Sequence, residues 1–592
     1  ADGYYEFQVK PWSIVTATTL DDAKASSDGK SFTARDNKGS QMPSNKEYVD
    51  GNDYAVLDTD DSGDKNGDTN NSLIYADDFE YTGKTVTSYD PKTGKDVTED
   101  YLKSRGGDTG ATPRYTNDTN GAFEVVRQSD GNHVIRQQVG AGMDAGAWNG
   151  GDPRTTIGDY RWANYQVSAD VLFETNQGYA TVGARQWGNS GNGLDNSVAQ
   201  LKVTPSGAWT FMRYSSTVAS GKAPSSFKTG ANQWNTLAVK VLGNVYTAYI
   251  NGEEVATYTD ANPQATGRIQ LGSSFDFVQF DNLKIAKIDG ATPYYTDLID
   301  NMHQRSWKNN AVALLAYNGK WQHLDGQGMY VYKRSISNST GKGATLTYTF
   351  NGTGIDLNGA NSGKAKLNVT VDGKQVALNA TTTKSSATQP TTYELRGLKN
   401  GKHTVTFETA TDDGISIDNV GIVKATGVNS AAADTVALKA AYALAKDAVE
   451  GDYQPATWGV FSTVRDEAAA ALDNPASYGL DTEGANAIAA RLTAAQKNLV
   501  GKDVSPELKP LGLTAAVAKD DKLPSSLTID GKSVGVSWNE EAAEIIAKAS
   551  DYSKVTISGI TTEKLDDNYK YRFTTQVEVL PSRNIEYFID SG

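Results

Sequence analysis

The chain has no cysteine, and only four histidines and five methionines in 592 residues. Without thiols it can form no disulfide framework, thiolate nucleophile or cysteine-ligated zinc site. His133, His303, His323 and His403 lie far apart, which gives a Ser-His-Asp relay little support. No phosphate loop, GxSxG elbow or HExxH motif occurs. No run approaches the roughly 20 consecutive apolar residues of a membrane span. A basic start with an apolar signal core is missing too. The chain opens Ala1-Asp2-Gly3-Tyr4-Tyr5, in what reads as the middle of a strand, so a fragment of a longer protein is expected. Basic residues are the scarcer charge, 56 Lys and Arg against 71 Asp and Glu, a net charge of −15. The acids are dispersed along the chain. Nucleic acid is excluded as a partner, since phosphates are neutralised by clustered Lys and Arg.

Against these absences stand 30 tyrosines, 10 tryptophans and 57 glycines. Turns built on Gly, Asn and Asp between strands rich in Thr and aromatics suit exported β-sandwiches. Length alone calls for several domains. Residues 1–20 read as the final strand of a truncated β-sandwich, and 21–73 as a polar insertion. Within it, Asp58, Asp60, Ser62 and Asp64, with Gly63 at the bend, imitate the first half of a calcium loop. Thr69 stands where such a loop needs a bidentate Glu, so a solvated acidic turn is the better reading.

Short strands with regular turn signals fill 74–290, among them AFEVV, YQVSADVLFET and FDFVQFDNLKIAKI, and imply an antiparallel jelly-roll sandwich. A linker is expected at 291–320 and a second, smaller sandwich at 321–425. From Ser430 the apolar period becomes helical: Leu438, Tyr442, Ala445 and Val449, then Trp458, Phe461, Ala468 and Leu472, then Ile488, Leu492, Ala495 and Leu499. Three helices over 430–502 make a small bundle, with Asp434 and Thr457 as caps and Pro475 ending the second. Strand signals return over 510–583 as an immunoglobulin-like sandwich, and 584–592 read as the start of another module. The fold class is therefore multidomain and mostly β.

Four blocks in the first sandwich, IYADDFEY (74–81), GAFEVV (121–126), IGDYRWANYQVSADVLFET (157–175) and FVQFDNLKIA (277–286), resemble the lectin-like domain of galactosylceramidases, glycoside hydrolase family 59. The opening GYYEFQVKPWSIVTATTL resembles the strand that closes that family's β-sandwich beside its catalytic barrel. The resemblance implies a concanavalin- or laminin-G-like jelly roll holding Ca2+. Its ligands would be Asp78, Glu80 (where an Asn is expected), the main-chain carbonyl of Phe123, and Asp281. Calcium's preference for hard oxygens in irregular geometry suits this set. Alternatively, Asp78 and Asp281 cap turns at strand ends. The resemblance also implies a rim loop carrying Trp148, which would stack on galactose or else fold back on the sandwich, with Arg154 as a further rim residue.

Residues 321–425 resemble galactose-binding-like modules of bacterial glycosidases, with Trp321, His323 and Tyr330 as a sugar platform. Residues 434–500 resemble the three-helix (FIVAR-like) module of wall proteins, and 511–582 a bacterial immunoglobulin-like domain; both serve as spacers. Glycoside hydrolysis needs two carboxylates about 5–10 Å apart. The family keeps that pair on a TIM barrel whose eightfold βα pattern does not occur here, so no catalytic residue is assigned. The expected role is the accessory, carbohydrate-recognising part of a secreted enzyme cleaving terminal β-galactosyl residues, with a galactose-containing glycan or glycolipid and cell-wall material as partners. A structural or adhesion protein is the rival.

Overall fold

Along the strand Tyr165–Phe173, Tyr165, Val167, Ala169 and Val171 are fully buried while Gln166, Ser168 and Asp170 between them are half-buried. Successive side chains of a strand point to opposite faces, so this alternation demands a sheet with one face on a core. In the computed structural model, residues 72–582 are described, except 84, 91, 105–106, 108, 143–150, 188–196, 303–314, 329–330, 387–389, 426–427 and 566–567. The chain falls into two compact units, residues 1–372, 379–437 and 470–488 in one, and 373–378, 438–469 and 489–592 in the other.

The first unit contains two β-structures. In one, an eight-stranded sheet runs Glu253–Thr259, Val245–Ile250, Trp234–Leu242, Tyr165–Phe173, Val278–Lys287, His133–Gln137 and Phe123–Arg127, with Leu73–Asp77 also paired to Val278–Lys287. A seven-stranded sheet runs Ser216–Lys222, Ala208–Arg213, Ala199–Val203, Ala180–Gln186, Arg268–Ser273, Arg154–Ile157 and Asn117–Asn120. Val167, Val171, Leu237 and Phe280 of the first sheet share one apolar core with Val182, Leu201, Phe211 and Leu271 of the second. This is the expected jelly-roll sandwich.

A cation is fully enclosed in it. Arg185 is fully buried and donates to the carbonyls of Ala163, Gly243 and Gln264 and to Asn164 Oδ1 at 2.6–3.0 Å. A buried charge persists only when its donors are satisfied. The chain makes room for it: at Gly267, with φ of +156°, a Cβ would lie 2.5 Å from the Arg185 carbonyl carbon.

The second β-structure is a sheet ordered Asp297–Asp300, Asn419–Val423, Thr345–Asn358, Thr391–Thr409, Lys366–Val371 and Lys374–Thr381, with Ala316–Asn318 paired to Thr345–Asn358. Opposite the linker expectation, Asp297–Asp300 is a strand of this sheet, pairing with Asn419–Val423. Tyr294, Tyr295 and Ile299 are buried around it, and that apolar anchoring ties the segment down.

A buried ion network crosses this unit. The Arg396 guanidinium meets Asp356, Glu394 and Glu483. Tyr295 donates to Asp356 at 2.6 Å, and Asn164 of the first sandwich donates to Glu483. Burial raises the Asp356 carboxyl, while Glu394 lies at the exposed edge of the network. One guanidinium thus serves three carboxyl groups from different parts of the chain.

In the second unit, Leu438, Ala441 and Ala445 are buried on one helix, Phe461, Val464 and Ala468 on the next, and Leu492 and Ala495 on the last. The helices are Val436–Ala445, Pro455–Asp473 and Thr482–Lys497. Asp434 caps the first through the Val436 N–H. That helix stops at Ala445, and Val449 is 60% exposed rather than part of its apolar face. Thr457 lies within the second helix, which begins at Pro455, rather than capping it. That helix ends before Pro475 as expected. The C-terminal module is one five-stranded sheet, Val504–Ala518, Lys570–Leu580, Lys554–Thr561, Lys532–Trp538 and Ser526–Ile529, its first pair parallel. A helix, Glu541–Lys548, packs Ala542 and Ile546 into its core.

Replacing Arg396 by Leu strands buried carboxyls and is expected to cost roughly 3–5 kcal/mol in chemical denaturation. A loss below about 1 kcal/mol would show that the carboxyls take up protons instead of needing the guanidinium.

Candidate functional site

The strand Val278–Lys287 changes partners midway. Its first half pairs with His133–Gln137, through Gln279↔Arg136 and Phe280↔Ile135. Its second half pairs with Leu73–Asp77, through Asp77↔Leu283. At the changeover the register to Tyr165–Phe173 breaks between Asp281 and Lys284, and Asn282 takes a φ of +49°. Asp78, Glu80, Asn132 and His133 are brought to this break beside Asp281.

The two aspartates of the Asp77-Asp78-Phe79 motif do different work. Asp77 is buried and accepts from the hydroxyls of Tyr75 and Tyr81 and from the Phe79 N–H at 2.7–2.8 Å. Burial nevertheless pushes its carboxyl up to about 7. It is a core turn anchor. Asp78 accepts from the Glu80 N–H at 3.1 Å, and its charge acts on Asp281. Burial pushes the Asp281 carboxyl up to about 6, against donors from Asn132 and the Asn282 N–H, with Asp170 and Asp78 adding repulsion. Asp170 sits directly across from Asp281 and accepts from Asn282 Nδ2 at 2.9 Å. A desolvated carboxylate with two acidic neighbours favours a cation or a proton.

Of the expected calcium ligands, Asp78, Glu80 and Asp281 come together and Phe123 does not. Glu80 is engaged with His133, accepting from its N–H at 2.9 Å and meeting Nδ1 at 3.0 Å. Phe123 pairs with Gln137 three rows along the sheet from Asp281. Ala122 O accepts from Gln138 on the inner side, and Val125 bonds Ala111 and Gly110 on the outer side. The alternation of an antiparallel strand therefore turns the Phe123 carbonyl away from Asp281. Among the described residues no group of three or more His, Asp or Glu side chains is arranged to hold a metal. The Asp78 and Asp281 carboxyls suit a hard cation such as calcium; the four-residue set does not assemble around one. Asp170 and Asn282 stand inside two of the four blocks that carry the family resemblance and Asn132 in none; the strand register brings all three to Asp281.

The expected carbohydrate contacts scatter. Trp148 and Tyr330 lie outside the described residues, as do 1–71, which contain the expected first strand and the calcium-loop imitation. Arg154, expected on an exposed rim, is only 6% exposed at the start of a sheet strand, with Nε donating to the Asp152 carbonyl. In the second β-structure, Trp321–Leu324 belongs to a separate three-stranded sheet with Ile336–Ser339 and Ser416–Ile417, and Trp321 is half-buried with its indole N–H on the Asn318 carbonyl. Tyr317 packs edge-on against both Trp321 and His323, at 4.8 and 4.9 Å between ring centroids. His323 Nδ1 meets Ser337 Oγ at 2.7 Å, and burial lowers its pKa. Tyr317 carries no motif in the sequence; the Asn318-Gly319 dipeptide after it signals only a turn.

A family profile described as the galactocerebrosidase C-terminal lectin domain matches residues 118–288. Galactocerebrosidase of Danio rerio is 29% identical over 182 residues, which cover 29% of this chain and 27% of that protein. The chain thus spans about a quarter of the length of this curated relative. Among solved structures, carbohydrate-binding module CBM66 from Bacillus subtilis aligns over 29% of this chain and 96% of its own, at 13% identity and a TM-score of 0.23. Galectin LEC-6 of Caenorhabditis elegans aligns over 23% of this chain and 90% of its own, at 11% identity and a TM-score of 0.18. The chain carries a lectin domain like that at the C-terminus of galactocerebrosidase.

Because the folded pKa of Asp281 lies above its unfolded value, its contribution is full below about pH 4 and is lost as pH rises to about 6. In EDTA, stability should fall across that window. Asp281→Asn should remove part of the fall, on the order of 2 kcal/mol. An unchanged slope between pH 4 and 6 in the variant would contradict the crowding described.

Proposed function

We propose that this chain is the accessory, carbohydrate-recognising part of an extracellular glycosidase that removes terminal β-galactosyl groups. The observation that carries this reading is the lectin-domain match over 118–288, which falls on one continuous sandwich with a single core. The first sandwich would engage the galactosyl end of the substrate or a neighbouring sugar. The second would add affinity through the ring of Trp321, since aromatic faces stack on the apolar face of a pyranose. Linking two weak sugar modules raises overall affinity through effective concentration. The helical and C-terminal modules would act as spacers of the wall-protein and immunoglobulin-like kinds, holding the recognition modules away from a cell wall.

Calcium would be structural in this reading, bound by Asp78 and Asp281 at the strand changeover. It would neutralise the repulsion among Asp78, Asp170 and Asp281 and so stiffen the end of the sandwich. Three outcomes check the function. Galactose-terminated glycans on an array should bind the chain, and Trp321→Ala should weaken that binding roughly fivefold. Calcium should raise the melting temperature of the wild type and not of Asp281→Asn. Silence on every glycan, with and without calcium, would favour the structural or adhesion role instead.

A further inference from the structure

The helix Val436–Ala445 reads VALKAAYALA and carries one charged residue, Lys439. Leu438, Ala441 and Ala445 are buried along one face of it. At 3.6 residues per turn, Val436, Ala437, Ala440, Ala443 and Leu444 fall within an arc of about 120° on the opposite side. Val436 is 73% exposed and Leu444 75%, and the three alanines between them are exposed as well. No polar side chain of the helix enters this arc; Lys439 and Tyr442 stand on one flank.

A helix that meets water on its outer side ordinarily places polar residues there. The third helix, Thr482–Lys497, does so with Asn486, Thr493 and Lys497 exposed beside its alanines. The first helix has an apolar face on each side instead, which is the pattern of a helix with two partners. Single exposed apolar residues are ordinary on a surface, whereas a contiguous stripe marks an interface. Among the described residues the large exposed apolar side chains are Val97, Met302, Val436, Leu444, Val449, Leu508, Ile545 and Tyr552. Two of them lie on this one helix and Val449 lies just beyond its end, so the clustering is local to it.

The stripe is complementary to itself. Two copies laid antiparallel about a twofold axis through Ala440 set Val436 against Leu444, Ala437 against Ala443, and Ala440 against its own copy. Alanines at the centre let the helix axes approach to about 8 Å, and the antiparallel dipoles attract. The same operation brings Asp434, the cap of the helix, opposite Lys446, one residue past its end, at both ends of the contact. Lys446 is exposed and meets its neighbour Asp447 at 2.7 Å, a surface pair that costs little to exchange. We propose that this face of the first helix is a dimer interface between two copies of the chain. A contact one ten-residue helix long, about 15 Å, is small for a protein interface, so the association is reversible. The proposal does not rest on the carbohydrate reading; a dimer would double the recognition modules per particle and add avidity to it.

The test is sedimentation equilibrium of the full chain from about 1 to 300 μM, where a monomer–dimer equilibrium with a Kd of roughly 10–100 μM is expected for so small a contact. Ala440→Glu puts two carboxylates on the twofold axis and should weaken the dimer at least roughly tenfold. Glutamate suits an exposed helix position, so the fold is kept, with melting curves as the check. Tyr552→Ser removes an exposed ring outside the helix and should change nothing. Because the chain has no cysteine, single cysteines report the contact directly. Ala440→Cys should form a disulfide-linked dimer on mild oxidation roughly tenfold faster than Lys439→Cys, whose side chain lies on the flank. A chain that stays monomeric throughout the range, as it would if the face served a different protein, overturns the proposal. So does a dimer indifferent to Ala440→Glu, or equal cross-linking from the two cysteine positions.

Discussion

The two-residue period of the strands governs what the first sandwich can be. Once Val182, Leu201 and Leu271 are committed to the core, Thr181, Lys202 and Gly272 must lie on the other face. A slip of one residue would bury a row of polar groups and expose the apolar set. The outward side chains escape the apolar core, yet Thr181, Gln200 and Gln270 among them are themselves enclosed. Arg185 is the exception that fits the rule: a positive φ turns it inward, and its donors are consumed by main-chain carbonyls.

The same constraint explains the carboxylate cluster. Val278–Lys287 is flanked on one side by two successive partners, so a break must occur where one ends and the other begins. Asp281 and Asn282 occupy the break, and the turn after Leu73–Asp77 delivers Asp78 to it. Asp77, one residue earlier, faces the opposite way and is spent on two tyrosine hydroxyls. Adjacent acids in one motif therefore have separate roles, one in the core and one at a strand end with two acidic neighbours.

Much of the fold was legible because it is periodic. The strand runs of the sandwich, the helical period after Ser430 and the cap at Asp434 are local patterns, and the structure contains them. What was not legible depends on partners distant in sequence. Arg154 looks like a surface residue until pairing with Arg268–Ser273 encloses it. Asp297–Asp300 looks like linker until Asn419–Val423 pairs with it. The calcium reading took Phe123 from a motif, but the direction of a carbonyl follows from register. The helix Glu541–Lys548 is amphipathic but only eight residues long, shorter than the window over which a helical period is read. The network around Arg396 joins residues up to 319 positions apart, Asn164 to Glu483, and no local pattern anticipates it.

The central claim is that the first sandwich recognises carbohydrate. Hydrogen exchange of the full chain, with and without a saturating oligosaccharide, tests it most directly. The account predicts slowed exchange concentrated within 118–288, the segment of the lectin-domain match. Exchange unchanged throughout this sandwich at saturation, or protection confined to 297–423, would contradict it.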